Sequence, residues 1–450
     1  MGETINTQSN QINEAQISAE YLETHPLIYT QEMFFTPEGW MADESPMKRE
    51  IYRMIEGRAA TGIPNKIKNI IDVMRIRAYT PDFPPEEECI HLMNGTLYPD
   101  GRFEERKDKV VRSRLPVKYD PDAPEPVIWL KYLDGLLYPE DIPTFQEFIG
   151  YCLLPTNKGQ RMMIIKGSGG EGKSQSGTVL KKLFGAYAKD GSVGKISENR
   201  FARADLEHIH LMIDDDMRME ALRQTNYVKS IVTANGKMDL EKKGKQSYQG
   251  YLYARILAFS NGDLQSLYDR SDGFYRRQLI LTTKEKAPDR VDDPDLAAKM
   301  CGETEGILLW ALEGLKRLHA NHYRFTESAR AVSNRDVLKQ DANNALMFME
   351  AEDYIQHDAE AAVTSRDLYE AYSLWCEENG VQPVKSRSFS DFLTVNGKKY
   401  GIEHINTVRN KDGRRVWGFK GIRIPLPVLS RIGSGPKLYY DKDCPYTGQT

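Results

Sequence analysis

The run Arg161-Met-Met-Ile-Ile-Lys-Gly-Ser-Gly-Gly-Glu-Gly-Lys-Ser174 decides how the rest of the chain is read. Met162 to Ile165 are the apolar segment of a central strand, and the residues after them fit G-x-x-x-x-G-K-[ST]. Gly167, Gly169, Gly170 and Gly172 let the backbone curl until several N–H groups point at one anion. The whole loop, Gly167, Ser168, Gly169, Gly170, Glu171, Gly172, Lys173 and Ser174, is expected to hold the phosphates of ATP. Lys173 is placed to reach the β- and γ-phosphates and Ser174 to ligate Mg²⁺. The helix from about Gly172 to Phe184 adds its positive N-terminal end.

Outward from the loop, His208-Ile-His-Leu-Met-Ile-Asp-Asp-Asp216 reads as an apolar strand ending in acids. A strand parallel to the first sets those acids beside the loop. Asp214 is then the expected Mg²⁺ ligand and Asp215 the group that polarises the attacking water, with Asp216 able to replace either. Residues 227–232 read as helical. Asn235 to Gly250 carries lysines and three glycines, the pattern of a hairpin with a basic tip, so Lys242, Lys243 and Lys245 are expected to contact a phosphodiester backbone. Ala254-Arg-Ile-Leu-Ala-Phe-Ser-Asn261 is a further apolar strand, finishing in a carboxamide that can hydrogen-bond the γ-phosphate or lytic water. Gly273-Phe-Tyr-Arg-Arg-Gln-Leu-Ile-Leu281 opens another strand, and Arg276 or Arg277 is the candidate arginine finger given to a neighbouring subunit. Arg277 ranks first because it lies nearer the apolar run.

Upstream, residues 1–18 are rich in Gln, Asn, Thr and Ser and read as a disordered leader. Residues 19–83 show apolar positions at helical spacing. Cys89 to Arg102 reads as a β-ribbon turning at Asn94-Gly95, and Leu115 to Ala123 as an extended crossing. Two helices follow over 127–137 and 142–154, the second capped by Asp141. Downstream, 294–319 reads as helices that close over the nucleotide. Residues 346–354 and 365–378 are amphipathic, and 386–395 is a candidate recognition helix bearing Arg387. Residues 405–424 alternate around Asp412-Gly413, a ribbon with Arg409, Lys411, Arg414 and Arg415 at its tip. The end, 425–450, reads as loosely ordered.

The 450 residues have room for two to four domains, and a net charge of −4 gives no overall basic signature, so nucleic-acid contacts must be local. Five cysteines stand far apart without C-x-x-C or a nearby histidine pair, which argues against zinc and against disulfides and suits a reducing cytoplasm. No apolar run is long enough for a membrane span.

The ordered set of phosphate loop, acidic strand, lysine hairpin, Ser260-Asn261 and Arg276-Arg277 resembles superfamily 3 helicases, the AAA+ branch of viral and phage replication motors. The likeness is to the helicase part of phage and plasmid primase-helicases related to the poxvirus primase-helicase. Met93 to Leu97, Leu115 to Pro121 and Gln146 to Tyr151 are similar to that family's collar. Glu305 to Gly314 is similar to its lid, and Asp367 to Cys376 with Ser388 to Leu393 to its terminal winged helix. The resemblance implies an α/β fold: an AAA+ P-loop motor with a central parallel sheet over 141–325, an N-terminal helical and β collar over 19–140, and a C-terminal winged-helix DNA-binding domain over 340–424. It implies a ring, in all expectation a hexamer, that hydrolyses ATP between subunits and moves on single-stranded or forked DNA, with a separate primase or polymerase as partner. It carries catalytic roles onto Lys173, Asp214, Asp215, Asn261 and Arg276 or Arg277. Three consecutive aspartates leave open which acid does which task. No run of paired carboxylates stands in the leader, so primer synthesis is not expected of these residues. Two other readings keep the phosphate loop: a replication initiator or loader that uses ATP only to assemble on DNA, and a small-molecule kinase, which leaves the lysine hairpin unexplained.

Overall fold

The structure is a computed structural model and describes residues 12–41, 44–58, 61–81, 85–106, 110–217, 222, 224–244, 246–262, 272–286, 290–381, 383–410 and 412–433. Asn13 caps the first helix, α1 (Glu14–Thr24), by accepting a hydrogen bond from the Gln16 N–H. Of the expected leader, residues 1–11 lie outside the described ones, whereas residues 14–18 are helical: Ile17 and Tyr21 lie on one face of α1 and pack against α2 (Ser45–Ile55) and α3 (Ile63–Arg77). A small antiparallel sheet that helical periodicity did not announce lies between α1 and α2: β1 (Ile28–Thr30), β2 (Met33–Thr36) and β3 (Gly39–Met41). Its first turn is made by Gln31 and Glu32 at φ +49° and +63°, a left-handed pair without the Asn-Gly or Asp-Gly that would mark it.

The expected ribbon is present as β4 (Ile90–Leu92), β5 (Gly95–Leu97) and β6 (Phe103–Glu105). Asn94 ties it to the extended crossing, donating to the Tyr119 carbonyl and accepting from the Tyr119 N–H, both at 2.8 Å. Helices α4 (Val127–Leu136) and α5 (Ile142–Cys152) follow. Asp141 does not cap α5 through its side chain; its buried carboxyl accepts from the Ser328 hydroxyl, and burial raises its pKa above the ordinary value.

The middle of the chain contributes β7 (Met162–Lys166), α6 (Lys173–Phe184), β8 (Ala188–Asp190), α7 (Val193–Glu198), α8 (Arg200–Ala204) and β9 (Leu211–Asp214). It continues through α9 (Asn226–Val232), β10 (Lys237–Leu240), β11 (Tyr248–Tyr251), β12 (Arg255–Ser260), α10 (Asp272–Tyr275) and β13 (Gln278–Thr282). Five of these strands form one parallel sheet in the order β13-β7-β12-β9-β8. Alternate side chains leave it on opposite faces. Met163, Ile165, Ile213 and Phe259 pack with Val179, Leu180 and Leu183 of α6, whereas Met162, Ile164, Met212 and Ala258 pack with Val193, Val228 and Ile231. Burial on both faces is why the central strands read as continuous apolar runs. This α/β arrangement is compatible with a nucleotide-binding fold.

Arg255 enters the interior at the start of β12, only 1 % exposed, and donates to the carbonyls of Cys152, Leu154, Thr156 and Tyr253. It thus fastens the end of α5 and the turn before β7 to the sheet. Arg255→Met strands those carbonyls and is expected to cost about 3 kcal/mol of unfolding free energy. Denaturant titration checks this, and a loss below about 1 kcal/mol would show that the carbonyls find other donors.

After the sheet come α11 (Leu296–Cys301), α12 (Thr304–Ala320) and α13 (Ala329–Met349). Helices α5 and α12 meet through glycine: a Cβ on Gly150 would lie 2.3 Å from the Ala311 carbonyl oxygen, and one on Gly314 would lie 2.4 Å from that of Gln146. Glu303 accepts from the N–H groups of Ile128 and Trp129 at 3.0 and 2.9 Å, capping α4 from the start of α12. Arg317 adds a 2.6 Å pair with buried Glu147.

The last unit holds β14 (Gln356–Thr364), α14 (Ser365–Glu378), α15 (Ser386–Asn396), β15 (Glu403–Arg409), β16 (Arg415–Arg423) and the short α16 (Leu426–Leu429). Its strands form an antiparallel sheet ordered β14-β16-β15 over a core that includes Phe348, Tyr372, Trp375, Phe389 and Phe419. Within the end expected to be loose, Val428 and Ile432 belong to that core; residues 434–450 lie outside the described ones. Among the described residues no helix is long and apolar enough to cross a membrane.

Candidate functional site

The glycine-rich loop leaves the C-terminal end of β7, between β13 and β12, and opens α6. Gly169, Gly170 and Gly172 have φ of +104°, +84° and +92°, a backbone that side chains resist. A Cβ at Gly167 would lie 2.6 Å from both the Lys173 ammonium and the Thr283 hydroxyl, so only glycine lets the lysine fold back over the loop. Lys173, 8 % exposed, donates to Glu171 Oε2 at 2.8 Å and to Asn261 Oδ1 at 3.2 Å, joining the loop to the end of β12.

The N–H groups of Ser168 and Gly169 both donate to Glu171 Oε1, the second at 2.8 Å. The buried Glu171 carboxylate thus takes the donors that suit a phosphate oxygen. Burial alone would raise its pKa, but the bonds from Lys173 and the loop N–H groups outweigh that and hold it below the ordinary value. An incoming phosphate has to displace this carboxylate. Glu171→Gln removes its charge and is expected to tighten ATP binding about tenfold, ~1.4 kcal/mol. A fluorescent-nucleotide titration reads the effect; weaker binding in the variant would mean that Glu171 supports the loop and does not compete for it.

A cleft of about 450 Å³ opens beside the loop, bordered by Ser174, Asp215, Asp216, Asn261 and Arg290. Asp214 does not border it. Its 4 % exposed carboxylate accepts from the Val193 N–H at 2.7 Å on the far side of the sheet, and burial, with Asp215 and Asp216 nearby, raises its pKa. The acid assigned to Mg²⁺ from sequence thus faces away from the cleft: Asp214 shares the face of Met212, and the face over α6 falls to the next position. The oxygen set of Ser174, Asp215 and Asp216, exposed on one cleft, fits a hard divalent cation.

Two contributors escaped sequence reading. Arg290 donates to the Glu171 carbonyl at 2.8 Å, and Tyr132 donates to the Gly172 carbonyl at 2.9 Å while accepting from Ser176 N–H at 3.2 Å. Arg290 carried a usable signal, as the cation of Arg290-Val-Asp-Asp-Pro294 after the last parallel strand, where the ligand crevice lies. Tyr132 carried none, being one buried aromatic of an apolar helix.

Gln278 of β13 pairs with Met162 of β7, so Arg276 and Arg277 stand at the sheet end opposite the loop, roughly 15 Å away by strand rise. Neither can serve the cleft of its own chain. Arg277, ranked first from sequence, is half-buried and donates to the Gly273 carbonyl, whereas Arg276 is exposed. Proximity to the apolar strand is what folds Arg277 inward.

The expected hairpin exists as β10 and β11 in antiparallel register. Lys242, in the loop that joins the two strands, is occupied, 3.4 Å from the buried Glu207 carboxylate that also accepts from Tyr248 at 2.6 Å. Lys243 is exposed, and Lys245 lies outside the described residues. In the last unit Arg387 has a 95 % exposed side chain, and Arg409, Arg414 and Arg415 are exposed where β15 turns into β16; Lys411 lies outside the described residues. Trp417 of β16, 57 % exposed, packs at a tilt against His404 beside these cations, ring centroids 4.7 Å apart.

The model of a family of unknown function (DUF5906) matches residues 165–277, and that of the poxvirus D5 protein-like family matches residues 340–415. No curated protein matches the sequence. Two solved A-form apo structures of the NrS-1 C-terminal region are similar in fold, both at 12 % identity. One has a TM-score of 0.50 and covers 95 % of this chain and 91 % of its own; the other has 0.51, 95 % and 92 %.

Proposed function

We propose that this chain is an AAA+ motor of the superfamily 3 type, an ATP-driven DNA helicase that works as a ring in the replication of a phage or mobile element. The observation that carries the reading is the placing of charge around one parallel sheet. Lys173, Asn261 and Asp215 converge at one end of it, and Arg276 stands exposed at the other, where a cation is of use only to a neighbouring copy.

In this reading the loop N–H groups and Lys173 grip the β- and γ-phosphates once Glu171 has moved aside. Ser174 and Asp215 would hold magnesium, whose charge would offset that of the phosphate oxygens. Asp216 orients water, and Asn261 senses the γ-phosphate from its contact with Lys173. The hairpin enters between β9 and β12, the two strands that end at the cleft, so a change there is felt at Lys243. The last unit is read as a winged helix whose exposed arginines meet phosphates and whose Trp417 stacks on a base. The poxvirus D5-like match over 340–415 and the resemblance of the ordered motifs support a replication role.

The test is strand separation on a forked duplex with ATP and Mg²⁺. Lys243→Ala is expected to lower unwinding at least about tenfold while leaving ATP hydrolysis without DNA within about twofold. DNA-stimulated hydrolysis by the unaltered chain with no strand separation would favour a loader, and hydrolysis indifferent to DNA would remove the motor reading.

A further inference from the structure

We propose that Glu86, Cys89 and His91 form a zinc site, remote from the nucleotide cleft, that pins the segment entering β4. Their ligating atoms lie together within 4.8 Å, and Cys89 and His91 are 7 % and 8 % exposed. The two residues alternate onto one face of the strand entry, and Glu86 closes on them from the preceding turn. Wide cysteine spacing argued against zinc because it looked for C-x-x-C or paired histidines, and a mixed Cys, His and Glu set has no such spacing.

The distances fit a tetrahedral ion. With Zn–S about 2.3 Å, Zn–N about 2.05 Å and Zn–O about 2.0 Å, tetrahedral angles put S and N about 3.6 Å apart, S and O about 3.5 Å, and N and O about 3.3 Å. The separations are 3.6 Å from Cys89 Sγ to His91 Nε2, 3.4 Å from Cys89 Sγ to Glu86 Oε2, and 2.7 Å from His91 Nε2 to Glu86 Oε2. Only the last has to widen, by about 0.6 Å, and Glu86, with a side chain 38 % exposed against 8 % for His91, is the partner nearer the surface.

The surroundings complete the set. His91 Nδ1 lies 3.0 Å from the Thr96 hydroxyl, a partner that holds a ligating imidazole in one tautomer and one orientation. Beside the three ligands is a cavity of about 10 Å³ reached by Ser113 and His210, the room one water needs as fourth ligand. Thiolate, imidazole and carboxylate together select zinc over magnesium or calcium. Binding takes one proton from the Cys89 thiol to solvent. The neutral His91 ring keeps its proton on Nδ1, toward Thr96, and offers the Nε2 lone pair. Two anionic ligands then balance the 2+ charge.

The ion acts as a clip. The next two residues already rest on the turn before β7: the Thr156 hydroxyl donates to Glu87 at 3.1 Å, and Lys158 lies 3.8 Å from Glu88. Fixing Glu86 to β4 would hold this crossing between the N-terminal helices and the parallel sheet.

Cobalt(II) titration of the metal-stripped full chain tests the site. One equivalent is expected to give the intense visible spectrum of a tetrahedral ion with near-ultraviolet sulfur-to-cobalt absorption, both displaced by zinc. Cys89→Ser is expected to lose the sulfur band, and Thr96→Val to weaken zinc binding by about 10–100-fold. Should Cys89→Ser fail to fold, Glu86→Gln, at a half-exposed carboxylate, decides, with at least about tenfold weaker binding expected. A weak six-coordinate spectrum, a sulfur band that persists in Cys89→Ser, or unchanged affinity in Glu86→Gln would overturn the proposal.

Discussion

Lys173→Ala is expected to lower the rate of ATP hydrolysis at least about 10³-fold, roughly 4 kcal/mol of transition-state stabilisation. The reasoning starts from burial. The Lys173 ammonium is among the least exposed charges of the cleft, and it bridges the loop to Asn261 at the end of β12. Alanine removes the positive charge from the phosphate site and also leaves the Glu171 carboxylate holding the loop N–H groups without its counter-ion. Both effects oppose catalysis. Single-turnover hydrolysis separates them from release of product, and a variant within tenfold of the unaltered chain would take the chemistry away from this loop.

Arg276→Ala is expected to lower hydrolysis by about 10³-fold or more, the range of an arginine finger, while leaving nucleotide affinity within about threefold. Affinity is spared because the residue stands at the sheet end away from its own cleft. The expectation has a sharper form in mixtures. Arg276→Ala and Lys173→Ala chains are each inactive alone. Mixed one to one, they form interfaces in which one chain supplies an intact loop and its neighbour an intact arginine, roughly a quarter of the total. Recovery near that fraction would show sharing between copies. No recovery, together with full activity of Arg276→Ala alone, would return the role to another cation, first among them Arg290, which borders the cleft of its own chain.

What could be read from sequence followed physical contrast. β7, β9 and β12 were legible because strands covered on both faces must be apolar throughout. β8 was not, since Ala188-Lys-Asp190 is a short edge strand whose last two residues are exposed. The loop was legible by its glycines, but the return of Glu171 onto its N–H groups belongs to the folded loop and leaves no pattern. Three consecutive aspartates could not reveal their register, because the end of β9 decides which carboxylate meets Val193 and which meets the cleft. The two arginines were found but ranked by nearness to the strand, and nearness is what occupied Arg277.

Backbone-to-backbone contact through Gly150 and Gly314, with Glu303 clasping the first turn of α4, leaves α4, α5 and α12 no slack between them. They must travel as a single rigid block. In the proposed motor, a displacement that nucleotide produced near Arg290 and Pro294 would therefore reach α4, α5 and α12 as one piece and not helix by helix.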